Sequence, residues 1–119
     1  MQDFTKLKVW QKAHNFTVNL YKTTKNFPSD EKFGLTNQIR RASVSIKSNI
    51  SEGCGRNGDK EFSRFLDIAQ ASAYEVKCQI LIARDLEYLD NNKSQLLTDK
   101  IDEVSRMINA LNQKLKAKS

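Results

Sequence analysis

Apolar residues recur every three or four positions along most of this 119-residue chain, and this spacing constrains the fold more than any other feature of the sequence. At about 100° per residue, it places apolar side chains on one side of an α-helix. Four segments show the pattern, and short stretches rich in Gly, Pro or Asn separate them. The chain has only 4 Gly and 1 Pro, too few for the many tight turns of a β-sandwich or barrel.

Two predicted helices flank Pro28. The first is predicted over residues 6–26, with an apolar stripe of Val9, Ala13, Phe16 and Leu20. The second is predicted over residues 30–56, with Ser29 as its N-cap and an apolar stripe that begins at Leu35. Three of the four glycines follow this stripe and end the helix.

Two further helices are predicted over residues 59–89 and 94–117, with Asp59 and Ser94 as their N-caps. Short turns between long amphipathic helices favour neighbours that run in opposite directions. The sequence therefore predicts an all-α fold: an antiparallel up-down-up-down four-helix bundle that forms a single domain over residues 1–119.

The chain is strongly basic, with 20 Lys and Arg against 14 Asp and Glu and a net charge of +6. Such a balance favours an anionic partner, and nucleic acid is the first to consider. The alternative is a charge that only keeps the protein soluble. Helical spacing predicts basic residues on the outward faces of the first two helices. The candidate contacts to nucleic-acid phosphates are Lys8, Lys12, Lys22, Lys25, Arg40, Lys47 and Arg56.

A second stripe, made of polar residues, borders the apolar stripe of the second predicted helix. Border positions are partly buried, and buried polar groups need hydrogen-bond partners. We expect a structural network that fixes helix register, with Arg41 paired to Glu75 of the next helix or of another subunit. The alternative is a ligand-binding or catalytic pocket. The predicted network comprises Gln38, Arg41, Ser45, Asn49, Glu52, Ser72 and Glu75.

Three residues of the third predicted helix, Tyr74, Leu81 and Tyr88, follow one another at intervals of seven, away from the apolar stripe. Aromatic residues at this spacing suit packing between subunits. The row predicts the interface of a homo-oligomer, and scattered surface aromatics are the alternative.

No set of residues suggests catalysis, a metal site or a cofactor. The single histidine, His14, and the two cysteines, Cys54 and Cys78, form no metal-binding motif, and both thiols are expected to be reduced. No apolar run approaches the ~18 residues that cross a bilayer, and no signal-peptide core follows Met1. We therefore expect a cytoplasmic protein that is not an enzyme and has no membrane partner.

Four stretches stand out as a group: LKVWQKA at residues 7–13, QIRRA at 38–42, NISEG at 49–53 and IAQASAYE at 68–75. Together they resemble the bacterial family of 23S ribosomal RNA intervening-sequence proteins, also called S23. The resemblance covers about residues 4–90, and the fourth predicted helix matches in periodicity only. Lys47 departs from the family, which commonly has proline at this point.

The resemblance implies a homo-oligomeric bundle, a ring of five copies. Relatives of the family include the accessory variability determinant of diversity-generating retroelements, a basic pentameric barrel that binds nucleic acid and a reverse transcriptase. For this chain, the implication is a non-catalytic protein that binds the backbone of RNA or DNA. The alternative is a protein-binding scaffold, or an accessory subunit for a nucleic-acid enzyme such as a reverse transcriptase.

Overall fold

The computed structural model describes residues 3–118, and four α-helices make up most of them. They are α1 Lys8–Thr24, α2 Leu35–Cys54, α3 Asp59–Asp85 and α4 Asn91–Lys118. Two short 3-10 helices, Phe4–Lys6 and Ser29–Glu31, precede α1 and α2. Residues 3–118 contain no β-strand. The prediction of an all-α fold with four helices is confirmed.

The apolar stripes of the four helices meet in one core along the long axis of a molecule of 45 × 22 × 20 Å. Each helix supplies side chains that are almost completely buried. They include Leu20 of α1, Ile39 and Ile46 of α2, Leu66 and Ile80 of α3, and Ile101 and Ile108 of α4. Burying one such side chain contributes about 1.5–3 kcal/mol to folding. The predicted stripes are therefore the faces by which the helices pack.

Each helix packs against two others, so that α1 and α4 close the arrangement. Two polar pairs join α1 to α2. Thr17 of α1 lies against Ser43 of α2, with 2.8 Å between the hydroxyl oxygens, and Thr24 lies against Arg40. Residue numbers rise along α1 and fall along α2 in these pairs.

The segment between α1 and α2 differs from the prediction. α2 begins at Leu35 instead of residue 30, because Ser29–Glu31 form a 3-10 turn and Gly34 separates this turn from the helix. Ser29 is therefore not the N-cap of α2. The N-cap residue is Gly34, and Glu31 of the preceding turn supplies the side-chain contact: its Oε1 accepts a hydrogen bond of 3.2 Å from the backbone N–H of Leu35, the first residue of α2.

The turn between α3 and α4 also differs from the prediction. α3 ends at Asp85 instead of residue 89, because the backbone reverses at Glu87, whose φ is 63°. The reversal brings Leu89 into the core. α4 begins directly after Asp90, whose carboxylate accepts a hydrogen bond of 2.7 Å from a backbone N–H of the first turn. Ser94, the predicted N-cap, is buried inside α4.

Glycine is required at two positions, one in the connection between α2 and α3 and one in the last turn of α2. Gly58 takes the N-cap position of α3 with a φ of 90°, a conformation that residues with a side chain rarely adopt. Asp59, which the sequence predicts as the N-cap, is instead the first residue of the helix. Gly53 lies where α2 approaches α3. A Cβ atom there would be 2.8 Å from Phe65 Cβ and 2.9 Å from Phe62 Cδ1. The two helices can come this close only because residue 53 has no side chain.

Gly53→Ala is expected to lower the free energy of unfolding by about 1–3 kcal/mol, because the added methyl group clashes with α3. Gly55→Ala is the control: its φ is −83° and the nearest atom to an added Cβ is the Glu52 carbonyl oxygen at 3.6 Å. The control is expected to change stability by no more than about 0.5 kcal/mol. Urea denaturation measures both, and equal stability of the two variants would contradict the close approach.

Candidate nucleic-acid interface

A groove runs along the surface between α1 and α4. It consists of two successive hollows of about 250 Å³ and 390 Å³. The exposed lysines Lys8 and Lys12 of α1 line it, one turn apart. The whole lining of this surface, which we call the α1–α4 groove, is Leu7, Lys8, Val9, Lys12, Asn15, Phe16, Asn19, Leu96, Lys100, Glu103, Val104, Met107, Ala110, Leu111 and Lys114.

α4 supplies half of the lysines in this lining. Lys100 and Lys114 are exposed on α4, and Lys93, seven residues before Lys100, is exposed as well. Among residues 3–118, Glu103 is the one carboxylate in the lining, and its Oε1 lies 3.4 Å from Lys12 Nζ. The described lining therefore carries four lysines and one glutamate, a net charge of +3. Sequence reasoning missed the α4 lysines, although their spacing by multiples of seven places them on one face.

Lys22 and Lys25 are exposed, but they lie beyond the residues that line the groove. Lys22 is one turn past Asn19 on the same face of α1. Lys25 follows the last residue of α1 and borders a separate hollow at the α1–α2 connection. Of the predicted α1 contacts, Lys8 and Lys12 therefore belong to the groove itself.

Arg40 and Lys47 face α1, and the prediction that they lie on the outward face of α2 is wrong. Arg40 donates through Nε to Thr24 Oγ1 at 2.9 Å and through Nη2 to the Tyr21 carbonyl oxygen at 3.1 Å. Lys47 Nζ lies 3.2 Å from His14 Nδ1. Both cations therefore hold α2 against α1, and their contact with nucleic acid stays a prediction.

Arg56 belongs to a group of charges around Phe65, near the α2–α3 connection. Its Nη2 lies 2.6 Å from Glu52 Oε1, and its guanidinium lies 5.1 Å from the centre of the Phe65 ring. Arg64 lies 4.9 Å from the same ring, and its hydrogen bond to Glu61 lowers the pKa of that carboxyl below its ordinary value. Each arginine has a carboxylate partner, so this surface offers a phosphate less net charge than the α1–α4 groove.

Ser45, Asn49 and Ser72 form part of the polar network that the sequence predicts between α2 and α3. The two serine hydroxyl oxygens are 2.9 Å apart. Asn49 Nδ2 donates to the Ser45 carbonyl oxygen at 2.8 Å and to Ser45 Oγ at 3.1 Å. Such a bond between helices is formed in one register only. Glu52 lies outside this network, because it pairs with Arg56 at the end of α2.

Gln38, Arg41 and Glu75 line a shallow groove of about 450 Å³ between α2 and α3. All three are exposed, and no ion pair joins Arg41 to Glu75 within residues 3–118. A pair with another subunit stays a prediction. Gln79, one turn further along α3, is buried. Its Nε2 lies 3.5 Å from Oε1 of Glu75. The side-chain oxygen of Gln79 has no hydrogen-bond partner in the described part of the chain.

Sequence reasoning missed a polar contact between α3 and α4. Asn112 of α4 is buried; its Nδ2 donates to Asp67 Oδ1 at 2.7 Å, and its Oδ1 accepts a hydrogen bond from the Ser63 hydroxyl. The signal in the sequence is an asparagine in the apolar stripe, between Ile108 and Leu115. A polar residue at such a position fixes the register of packed helices when it finds a partner.

Asn112→Ala is expected to lower the free energy of unfolding by about 1–3 kcal/mol, because Ser63 loses its buried acceptor and Asp67 loses a donor. Arg41→Ala is the comparison. Its side chain is exposed and has no partner within residues 3–118, so a change of no more than about 0.5 kcal/mol is expected. Urea denaturation measures both. A larger loss for Arg41→Ala would restore the buried role that the sequence predicts.

The row predicted as a subunit interface lies only partly on the surface. Tyr74 is 58% exposed and Leu81 is half-buried on α3. Tyr88 lies beyond the end of α3 and packs against Phe27, with 5.5 Å between ring centres. It donates a hydrogen bond of 2.8 Å to Glu31, which raises the pKa of the Tyr88 hydroxyl above its ordinary value. The prediction that Tyr88 continues an outer row of α3 is therefore wrong.

His14, Cys54 and Cys78 do not line the α1–α4 groove. His14 stacks on Trp10 with 4.9 Å between ring centres. Cys78 is exposed, whereas Cys54 is buried, and burial raises the pKa of the Cys54 thiol above its ordinary value.

Within residues 3–118, no group of three or more His, Cys, Asp or Glu could hold a metal ion. In the same part of the chain, no helix is long and apolar enough to cross a membrane.

The closed arrangement of four helices and the lysine-lined groove define a class: a small all-α protein whose candidate site is a basic surface. The chain belongs to the family described as 23S rRNA-intervening sequence protein, whose model matches residues 5–110. The resemblance found in the sequence is thereby confirmed. The match also extends beyond residue 90 into α4, where the sequence offered only periodicity.

One solved structure similar to this chain is that of a protein of unknown function from the S23 ribosomal protein family of Bacteroides thetaiotaomicron VPI-5482. The two superpose with a TM-score of 0.81 at 21% sequence identity, over 88% of this chain and 95% of that one. This likeness shows the fold. A search of curated proteins found no match to the chain.

Proposed function

We propose that this chain is a non-catalytic protein that binds the backbone of RNA or DNA along the α1–α4 groove. The observation that carries the proposal is the charge of the lining, in which Lys8, Lys12, Lys100 and Lys114 face a single carboxylate, Glu103. Lysines at a surface attract phosphates and release the counterions bound to them. The groove is therefore the surface at which we place the nucleic acid.

The length of the groove suits a backbone better than a small ligand. Lys100 and Lys114 are separated by about 21 Å along the axis of α4, at 1.5 Å per residue. A nucleic-acid strand places several phosphates within that length. Lysine contacts of this kind carry no information about base sequence, because bases are read through their edges and not through phosphates. We therefore propose binding that depends weakly on sequence.

We also propose that the chain forms a homo-oligomer of antiparallel up-down-up-down bundles, a ring of five copies as the family resemblance implies. The support is the apolar outer face of α3, where Tyr74 and Ile82 are each about half exposed, together with Leu86, which directly follows the helix and is also half exposed. Leu81 and the exposed Cys78 lie on the same side of the helix. α3 packs against α2 and α4 and not against α1, so contacts through its outer face leave the α1–α4 groove open.

The alternative function is a scaffold for a protein partner, such as an accessory subunit of a reverse transcriptase. One observation favours it. Phe33 is 86% exposed at the edge of the α2–α3 groove, where a large apolar side chain would suit a protein contact. A partner that co-purifies after nuclease treatment, and is lost in Phe33→Ser, would support this function over nucleic-acid binding.

Lys100→Glu is expected to weaken the binding of labelled RNA and DNA and to lower the slope of log K against log salt by about 0.7–0.9. Lys60→Glu is the matched control, because Lys60 is an exposed helical lysine of α3 that does not line the groove. Fluorescence anisotropy at several salt concentrations measures both. Equal effects of the two variants, or no binding by the natural chain at ~50 mM salt, would refute the groove as a nucleic-acid site.

The oligomer is tested by light scattering coupled to gel filtration, where a ring gives a multiple of the 13.7 kDa chain mass. The variant Tyr74→Lys with Ile82→Lys is expected to give single chains, because it puts charge into an apolar interface. The Cys78 thiol should then react faster with a thiol reagent, while the buried Cys54 stays slow in both forms. Single chains of natural sequence at micromolar concentration would rule out the ring.

A further inference from the structure

A second basic hollow, of about 340 Å³, lies where the chain passes from α1 to α2. Phe27 contributes an apolar side chain to it, and the polar lining consists of Thr24, Lys25, Ser29, Lys32, Thr36 and Arg40. No Asp or Glu among residues 3–118 lines it. Three cationic side chains and three side chains with hydroxyl groups therefore line this hollow, which shares no residue with the α1–α4 groove. The Lys32 ammonium lies 5.5 Å from the centre of the exposed Phe33 ring, beside the hollow.

Arg40 is the fixed cation of this hollow. Its Nε and one Nη donate to Thr24 Oγ1 and to the Tyr21 carbonyl oxygen, and its guanidinium lies 4.6 Å from the centre of the Tyr21 ring. A guanidinium has five N–H donors, so three remain for another acceptor. Because the side chain is already held in place, an anion that binds here does not have to order it.

Thr36 offers this hollow a hydroxyl without a protein partner. The residue is only 8% exposed, but its hydroxyl oxygen is open to the hollow instead of buried, and it makes no hydrogen bond within residues 3–118. A ligand in the hollow can therefore accept a hydrogen bond from it. Thr36 also lies in the first turn of α2, where the helix dipole favours negative charge. An unused hydroxyl donor and the start of α2 thus belong to the same lining as three cationic side chains.

The acidic side chains of the connecting turn do not cancel this charge inside the hollow. The Glu31 carboxylate is directed elsewhere: Oε1 accepts from the N–H of Leu35 and Oε2 accepts from the Tyr88 hydroxyl. Asp30 is exposed and does not line the hollow. The hollow is therefore a positively charged depression in the protein surface.

We infer that this hollow binds a phosphate monoester. A monoester phosphate carries about −1.5 to −2 charges at pH 7 and has three terminal oxygens, which matches three cations and the free Thr36 hydroxyl. A phosphodiester within a chain has one charge and two free oxygens, and suits the open α1–α4 groove. The inference does not depend on the proposed function, because the two surfaces share no lining residue.

The test is a titration of the 119-residue chain. Binding is measured by calorimetry and by changes in the NMR chemical shifts of the backbone amides. The probes are inorganic phosphate and adenosine 5′-monophosphate, with adenosine and sodium chloride at matched ionic strength as controls. Saturable binding of both phosphates is expected, with shifts centred on Ser29, Lys32 and Thr36. If only the nucleotide binds, the site takes a phosphorylated nucleoside; if both bind equally, it takes the phosphate group alone.

Thr36→Val keeps the shape of the side chain and removes the hydroxyl, so it is expected to weaken phosphate binding at least about tenfold. Thr98→Val, at a half-buried position of α4, is the matched control and should leave binding unchanged. Lys32→Ala should weaken phosphate binding without weakening oligonucleotide binding, and Lys100→Ala should do the reverse. Arg40 is not a useful variant, because it also holds α2 against α1.

Four results would overturn the inference. The first three are the absence of saturable binding at ~10 mM phosphate, equal shifts with chloride, and unchanged affinity in a folded Thr36→Val. The fourth, shifts confined to the lysines of the α1–α4 groove, would leave the proposed function intact. Conversely, a monoester site can stand if oligonucleotides fail to bind.

Discussion

Burial of four apolar stripes in one core is the interaction on which the other contacts of this protein depend. Once Ile46 and its neighbours turn inward, the rotation of α2 is fixed, and the residues on either side of its stripe must face α1 or α3. Arg40 and Lys47 lie on one side and meet α1. Ser45, on the other side, meets α3. The polar contacts then select one register among those that the apolar core alone would allow.

The same packing decides which positive charges remain for a ligand. Where α2 meets α1, a cation is used as a hydrogen-bond donor or packs on an aromatic ring, as Arg40 does on Tyr21. Near the α2–α3 connection, Arg56 is paired with a carboxylate of its own helix. Between α1 and α4, lysines outnumber carboxylates, and only Lys12 has an ion-pair partner among the groove lysines that the structure describes. A net charge of +6 is therefore not spread evenly over the molecule.

The proposed surfaces occupy separate parts of the bundle. The apolar face with Tyr74 and Ile82 is on α3, the lysine-lined groove lies between α1 and α4, and the hollow with Thr36 is at the α1–α2 connection. Because each helix has two neighbours and one outer side, a four-helix arrangement can present several such surfaces at once. Self-association through α3 would then repeat the other two surfaces around the assembly.

The sequence by itself determined the helices, their apolar faces and the family, because these depend on residue spacing and on local motifs. It also indicated part of the α2–α3 network, since Ser45 and Ser72 border two stripes that must pack together. Only the tertiary structure decided which neighbour each border residue meets. That choice turned Arg40 into a structural contact and brought the α4 lysine Lys100 beside α1. The physical reason is that helical periodicity fixes the angle of a side chain about its own axis, while the identity of the facing helix depends on how all four pack.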